Sequence, residues 1–130
     1  MASPTDLKFT KSHEWVRLDG DVATIGITDF AQEGLGDITY LELPDIGDAL
    51  TAAEAFGVVE SVKAASDIYS PFDGEIIERN NTVMASPEVV NTSPYGDAWL
   101  LKVRLSDPSQ VEGLMSPADY DALLALEAAH

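Results

Sequence analysis

Apolar positions along this chain recur mostly at a spacing of two, in short runs broken by glycine, proline, asparagine and aspartate. That pattern predicts short, half-buried β-strands. Residues 7–10, 13–18 and 21–27 read as strands, the last two forming a hairpin across Leu18-Asp19-Gly20-Asp21. Thr28 is placed to cap a short helix running through Gly34, with Asp29 in its first turn and Gly34 or Gly36 ending it. A strand is expected over 37–43, stopped by Pro44 and followed by the turn Asp45-Ile46-Gly47-Asp48. Residues 75–79 and 99–105 read as further strands. The stretch 80–97, rich in Asn, Ser, Pro and Gly, reads as a long loop with one short turn of helix near Pro87. Pro108 opens a short helix. Ser116, Pro117 and Asp119 open a second over 116–127, with Tyr120, Leu123, Leu124 and Glu127 at helical spacing.

Two strands, 56–62 and 66–69, flank a gap of small residues in which Lys63 stands. That setting predicts a hairpin with Lys63 at its tip, a side chain offered outward on a stiff base. Between Leu18 and Glu78, Lys63 is the only basic residue among 14 acidic ones. A Schiff-base or general-base lysine needs a neutral amine, obtained by burial or by neighbouring cations. Carboxylates nearby favour the ammonium instead. The bland alternative is an ordinary solvated surface lysine. The hairpin setting and the isolation favour a handle that a separate enzyme acylates.

The sequence Gly36-Asp37-Ile38-Thr39 is echoed by Gly74-Glu75-Ile76-Ile77, each following a turn and leading a strand. Two similar half-sheets folded over each other would account for the echo, and so would coincidence. At 130 residues the chain is expected to be one domain, 1–130, with residues 1–6 a mobile tail. Hydrophobic residues make up 45%, enough for a core.

A net charge of −16 argues against nucleic acid or an anionic membrane surface as partner. It permits long-range steering toward partners with basic faces. The absence of cysteine removes disulfides, thiolate metal sites, iron–sulfur clusters and a cysteine nucleophile together. Any sulfur redox chemistry would have to arrive on a cofactor. No run of 18 apolar residues is present, and Met1-Ala2-Ser3-Pro4 has neither a basic nor an apolar leader region, so no secretory signal is expected. His13 and His130 are the only histidines, and Asp45 and Asp48 fit a turn better than a calcium loop. Gly34-Leu35-Gly36 lacks the third glycine of a dinucleotide loop, and there is neither a phosphate-binding loop nor a nucleophile elbow. Trp15, Trp99, Tyr40 and Tyr95 read as core or partial-core aromatics. Glu14 is either a solvated strand-end carboxylate or, if the first hairpin packs nearby, a group facing a modified Lys63. No complete catalytic constellation emerges, so the chain is expected not to be an enzyme.

The stretch "FGVVESVKAASDIYSP" resembles the lipoylation segment of the glycine cleavage system H proteins. "KFTKSHEWV", "ATIGITDFAQEGLGDI", "LELPDIGD", "SPEVVNTSPYGDAWLLKV" and "LSDPS" resemble that family in the same order, so the likeness spans roughly residues 7–124. It implies a mostly β fold, the lipoyl/biotinyl-type barrel-sandwich hybrid with short added helices, one of them C-terminal. It implies a monomeric lipoyl carrier with lipoic acid amide-linked to Lys63 by a lipoate-attaching enzyme, within the motif context Glu60, Ser61, Val62 and Ala64. The implied cycle takes the aminomethyl group from the pyridoxal-phosphate glycine decarboxylase. It delivers the group to the tetrahydrofolate-dependent aminomethyltransferase, and dihydrolipoamide dehydrogenase then reoxidises the dithiol. A biotinyl carrier is disfavoured, because Val62 and Ala64 stand where that signature has methionines. A lipoate relay or a regulatory lipoyl-like binding protein is the remaining alternative. The expected setting is the bacterial cytoplasm, or the mitochondrial matrix for a mature form. Two stretches depart from the family pattern: 79–86 is less acidic, and Ala52-Ala53-Glu54-Ala55 replaces a basic or glycine-bearing turn.

Overall fold

Strands β1 (Lys8–Phe9), β2 (Glu14–Asp19) and β3 (Val22–Ile27) follow one another as an antiparallel meander. The computed structural model describes residues 6–128, so residues 1–5 of the tail expected over 1–6, and His130, lie outside the described residues. The β2–β3 turn is only Gly20-Asp21, with Gly20 at φ +65, where glycine carries no Cβ penalty. Thr28 caps helix α1 (Asp29–Leu35) as expected, accepting from the Ala31 N–H at 3.3 Å. Gly36, at φ +82, closes it.

Strands β4 (Ile38–Glu42), β5 (Ala49–Leu50), β6 (Ala55–Ser61), β7 (Ala65–Tyr69) and β8 (Gly74–Arg79) come next. The expected loop over 80–97 contains two short helices: α2 (Asn81–Ala85), which the sequence pattern does not predict, and α3 (Val89–Thr92), the helical turn expected near Pro87. Asn80 caps α2 by accepting from the Val83 N–H, and its amide donates to the carbonyls of Asp97 and Trp99 at 2.9 and 2.7 Å. Strand β9 (Leu101–Leu105) starts two residues later than expected, leaving Trp99 outside it. A 3-10 helix (Pro108–Gly113) and helix α4 (Pro117–Ala128) finish the described chain, with Ser116 accepting from the Asp119 N–H at 3.1 Å.

The strands form two antiparallel sheets, β1-β2-β3-β9-β8-β5 and β4-β6-β7. The fold is therefore mostly β with several short helices. The echo between residues 36–39 and 74–77 does not mark equal halves: β4 belongs to the three-stranded sheet and β8 to the six-stranded one. Alternation places Ala23 and Ile25 of β3, Ile76 of β8 and Leu101 and Val103 of β9 in one apolar cluster with Leu41, Val59 and Ile68 of the smaller sheet. Each such aliphatic side chain contributes roughly 1.5–3 kcal/mol on full burial.

A second cluster of Leu7, Phe9, Trp15 and Tyr120 seats α4 against β1 and β2. Phe9 and Tyr120 stack at 4.5 Å, and Phe9 exchanges backbone hydrogen bonds with Met115. The expected aromatic core is confirmed for Trp15. Tyr40 is instead 48% exposed, because its position on β4 faces away from the shared core.

Candidate functional site

Strands β6 and β7 make the expected hairpin, paired up to Glu60↔Ala65, and residues 61–64 turn the chain. Ser61 organises that turn. Its N–H donates to the Ala64 carbonyl at 2.7 Å. Its hydroxyl accepts from the N–H groups of Lys63 and Ala64 at 3.3 and 3.1 Å and lies 3.2 Å from the Ala64 carbonyl. The tip is also held from the side, because the Val62 N–H donates to the Asp37 carbonyl at 3.1 Å. Lys63 and Ala64 are exposed, Val62 is 70% exposed, and Glu60 and Ser61 are half-buried. The hairpin thus brings Lys63 to the surface with an apolar side chain beside it.

The stem of Lys63 lies back over the end of α1: a Cβ added at Gly36 would stand 3.8 Å from its Cε. Among the described residues its ammonium enters no ion pair. An exposed amine with no partner to displace is open to acylation, and it carries no arrangement for acting as a buried base.

Glu14 is not the solvated strand-end carboxylate that the sequence offers as one alternative. It is 1% exposed. Its carboxylate accepts from the hydroxyls of Thr10 and Ser12, both at 2.6 Å, and from the Tyr69 N–H at 3.4 Å. Those bonds supply what burial of a carboxylate requires. The visible signal is the pair of hydroxyl residues two and four positions before it. A cleft of about 360 Å³ opens beside it, walled by Phe9, Leu114 and Met115 on one side and Tyr69, Ser70 and Pro71 on another. The cleft lies at the opposite end of β7 from Lys63, and β7 itself is roughly 13 Å long for the four steps from Ala65 to Tyr69 at about 3.3 Å each.

A polar chain runs behind the cleft. The Tyr120 hydroxyl lies 2.7 Å from Thr28 Oγ1 and 2.8 Å from His13 Nδ1. The other ring nitrogen of His13 is 3.3 Å from Glu127. Burial holds the Tyr120 hydroxyl well above the usual phenol range, and burial likewise raises Tyr95, whose hydroxyl accepts from the Asp29 N–H at 3.0 Å. His13 is thereby part of the α4 anchorage. Asp45 is paired with Arg79 at 2.6 Å, in keeping with a turn residue. Among the described residues no group of three potential metal ligands comes together.

The family profile described as glycine cleavage H-protein matches residues 7–127. A glycine cleavage system H protein of Carboxydothermus hydrogenoformans is 52% identical over 124 residues, covering 95% of each chain. One of Phenylobacterium zucineum is 54% identical over 119 residues, covering 92% of this chain and 98% of its own. The crystal structure of a glycine cleavage system H protein from Mycobacterium marinum superposes with a TM-score of 0.88 at 34% identity, over 95% of this chain and 99% of that one.

Proposed function

The chain belongs to the glycine cleavage H-protein family, and from that membership we propose that it is a single-domain lipoyl carrier with Lys63 as its attachment point. The observation that supports this reading most directly is the exposed amine of Lys63, in no ion pair among the described residues, on the Ser61-organised tip. Acylation forms one amide bond at Nζ; the ammonium gives up two of its three protons to reach that product, and the activated carboxyl loses its leaving group. The positive charge on the tip is lost in the step.

The bound lipoyl group supplies the dithiolane that accepts, carries and releases the aminomethyl unit. The chain's own residues present that group and shelter it. Tethering at Lys63 confines it near its destinations and raises its effective concentration there. The cleft beside Glu14 lies within reach of so long an arm, with apolar walls for its hydrocarbon and a carboxylate for an amine it carries. Exposed Val62 and an acidic surface meet the partner enzymes. Those partners are glycine decarboxylase, the aminomethyltransferase, dihydrolipoamide dehydrogenase and a lipoate-attaching enzyme. They supply the chemistry, and this chain supplies the shuttle in the cytoplasm of a bacterial cell.

The test is intact mass after incubation with a lipoate-attaching enzyme, lipoate and ATP, followed by peptide fragmentation. One lipoyl increment on Lys63, absent from Lys63→Arg, is expected. Arginine keeps the charge without offering the same acylation chemistry. A biotinyl increment, an increment on another residue, or undiminished glycine-dependent carbon dioxide exchange by Lys63→Arg with the partner enzymes overturns the reading.

A further inference from the structure

The tip that carries Lys63 is steadied from a part of the chain far from it in sequence. Asn91, on α3, uses its side chain as a fork around residues 36–38. Its amide nitrogen donates to the Gly36 carbonyl at 2.9 Å and to Gln32 Oε1 at 2.8 Å. Its oxygen accepts from the Ile38 N–H at 2.9 Å. Gly36, Asp37 and Ile38 are thus fixed at both ends by one residue. Between those ends, the Asp37 carbonyl accepts from the Val62 N–H, the neighbour of Lys63. Gly36 is also the residue over which the Lys63 stem lies. Asn91 itself is anchored, because the adjacent Val90 is fully buried.

Each link has a structural reason. Gly36 leaves the helix at φ +82 and turns its carbonyl out of the helical ladder. Such a carbonyl needs a partner when half-buried. A β-bulge between Ile38 and Tyr40 interrupts β4–β6 pairing, so the sheet ladder alone does not fix the start of β4. A carboxamide can donate twice and accept, and it meets the three needs at once.

We propose that Asn91 is a positioning residue for acylation of Lys63. It holds the 36–38 segment, and through the Asp37–Val62 hydrogen bond it holds the tip in the arrangement that the acylating enzyme binds. The inference rests on the reading of Lys63 given above. Loosening the segment populates other tip arrangements, and only the competent fraction binds the enzyme. The effect therefore falls on KM for this protein, with kcat retained once bound.

The variant Asn91→Asp is isosteric and keeps the acceptor for Ile38, but it puts carboxylate oxygens where donors faced Gly36 and Gln32. Gln32→Met removes one of the three bonds and gives a second, milder perturbation. Tyr120→Phe is the control for general loss of stability, since it lies in the α4 anchorage. Acylation is followed by mass with a purified lipoate-attaching enzyme, lipoate and ATP, and amide exchange at Val62 is read by NMR on the unmodified protein.

For Asn91→Asp, KM rises about fivefold to tenfold with kcat within about twofold of the parent. Val62 exchange quickens by a similar factor while β3 and β9 amides stay protected. Gln32→Met shifts both in the same direction by less, and Tyr120→Phe shifts neither. Unchanged KM in Asn91→Asp, unchanged Val62 exchange, or an equal KM rise in Tyr120→Phe overturns the inference. Failure of the parent protein to take a lipoyl group overturns the reading beneath it instead.

Discussion

Two glycines predict opposite responses to the same chemical change. Gly57 lies in β6, six residues before Lys63 on the strand that carries it, and β4 pairs alongside through Glu42↔Val58. A Cβ at Gly57 overlaps the Glu42 carbonyl oxygen and stands 3.5 Å from Leu43 Cδ2. The obstacle is backbone in a paired strand, so the strands must part by about 1 Å to restore ordinary contact. Such overpacking costs about 1–3 kcal/mol. Weakening one ladder hydrogen bond adds about 1 kcal/mol. The lower entropy of an unfolded chain with alanine returns about 0.4–1 kcal/mol. The net for Gly57→Ala is a loss of about 2 kcal/mol, or about 8 °C in Tm at about 4 °C per kcal/mol for a chain of this size. Gly34 lies within α1 with nothing near the added methyl. There Gly34→Ala raises stability by about 0.5–1 kcal/mol. Calorimetry on the pair decides the matter. A Gly57→Ala protein melting at or above the parent would refute the claim that β4 and β6 cannot separate cheaply at this point.

Tyr120→Phe removes the hydroxyl that meets Thr28 and His13 and should cost about 1–3 kcal/mol in urea unfolding. Because burial raises the folded pKa of Tyr120 above the ordinary 10.0, its contribution is in place below pH 10.0 and is lost as pH climbs. The variant should therefore show a shallower alkaline decline of Tm. Asp73 has its folded pKa lowered from 3.8, first by the Ala52 N–H at 2.8 Å and then by Gln110 at 3.0 Å. Its contribution is full above 3.8 and declines as pH falls below it, so Asp73→Asn should flatten the acid limb of a Tm–pH series. Glu14→Gln leaves one of the three donors around the buried carboxylate without its acceptor. It should lower stability by about 1–2 kcal/mol in urea unfolding; an unchanged midpoint would mean that water replaces the lost bond.

The strands were legible because each carries its own alternation, and the Lys63 hairpin because small residues separate two β-branched runs. Thr28 and Ser116 were legible as caps because capping is local chemistry. The helix α2 was not, since five residues are too short to display a helical period among turn formers. Strand β5, of two residues, exists through its pairing with β8, which no local pattern announces. The burial of Glu14 depends on Tyr69, 55 positions away. The role of Asn91 depends on Gly36 and Ile38, more than 50 positions away. The alanine-rich departure at 52–55 has a visible cost: Ala53 sits at φ 71, where glycine fits without strain.

The position of β9 has a consequence for how the molecule is made. In the larger sheet, among the described residues, β1-β2-β3 and β8-β5 meet only through β9, which follows every other described strand along the chain. Until Leu101–Leu105 emerges, both half-assemblies expose unpaired edges, and the nascent polypeptide has no finished platform. A chain stopped at residue 100 should therefore give no cooperative melting transition, however long it is left to fold.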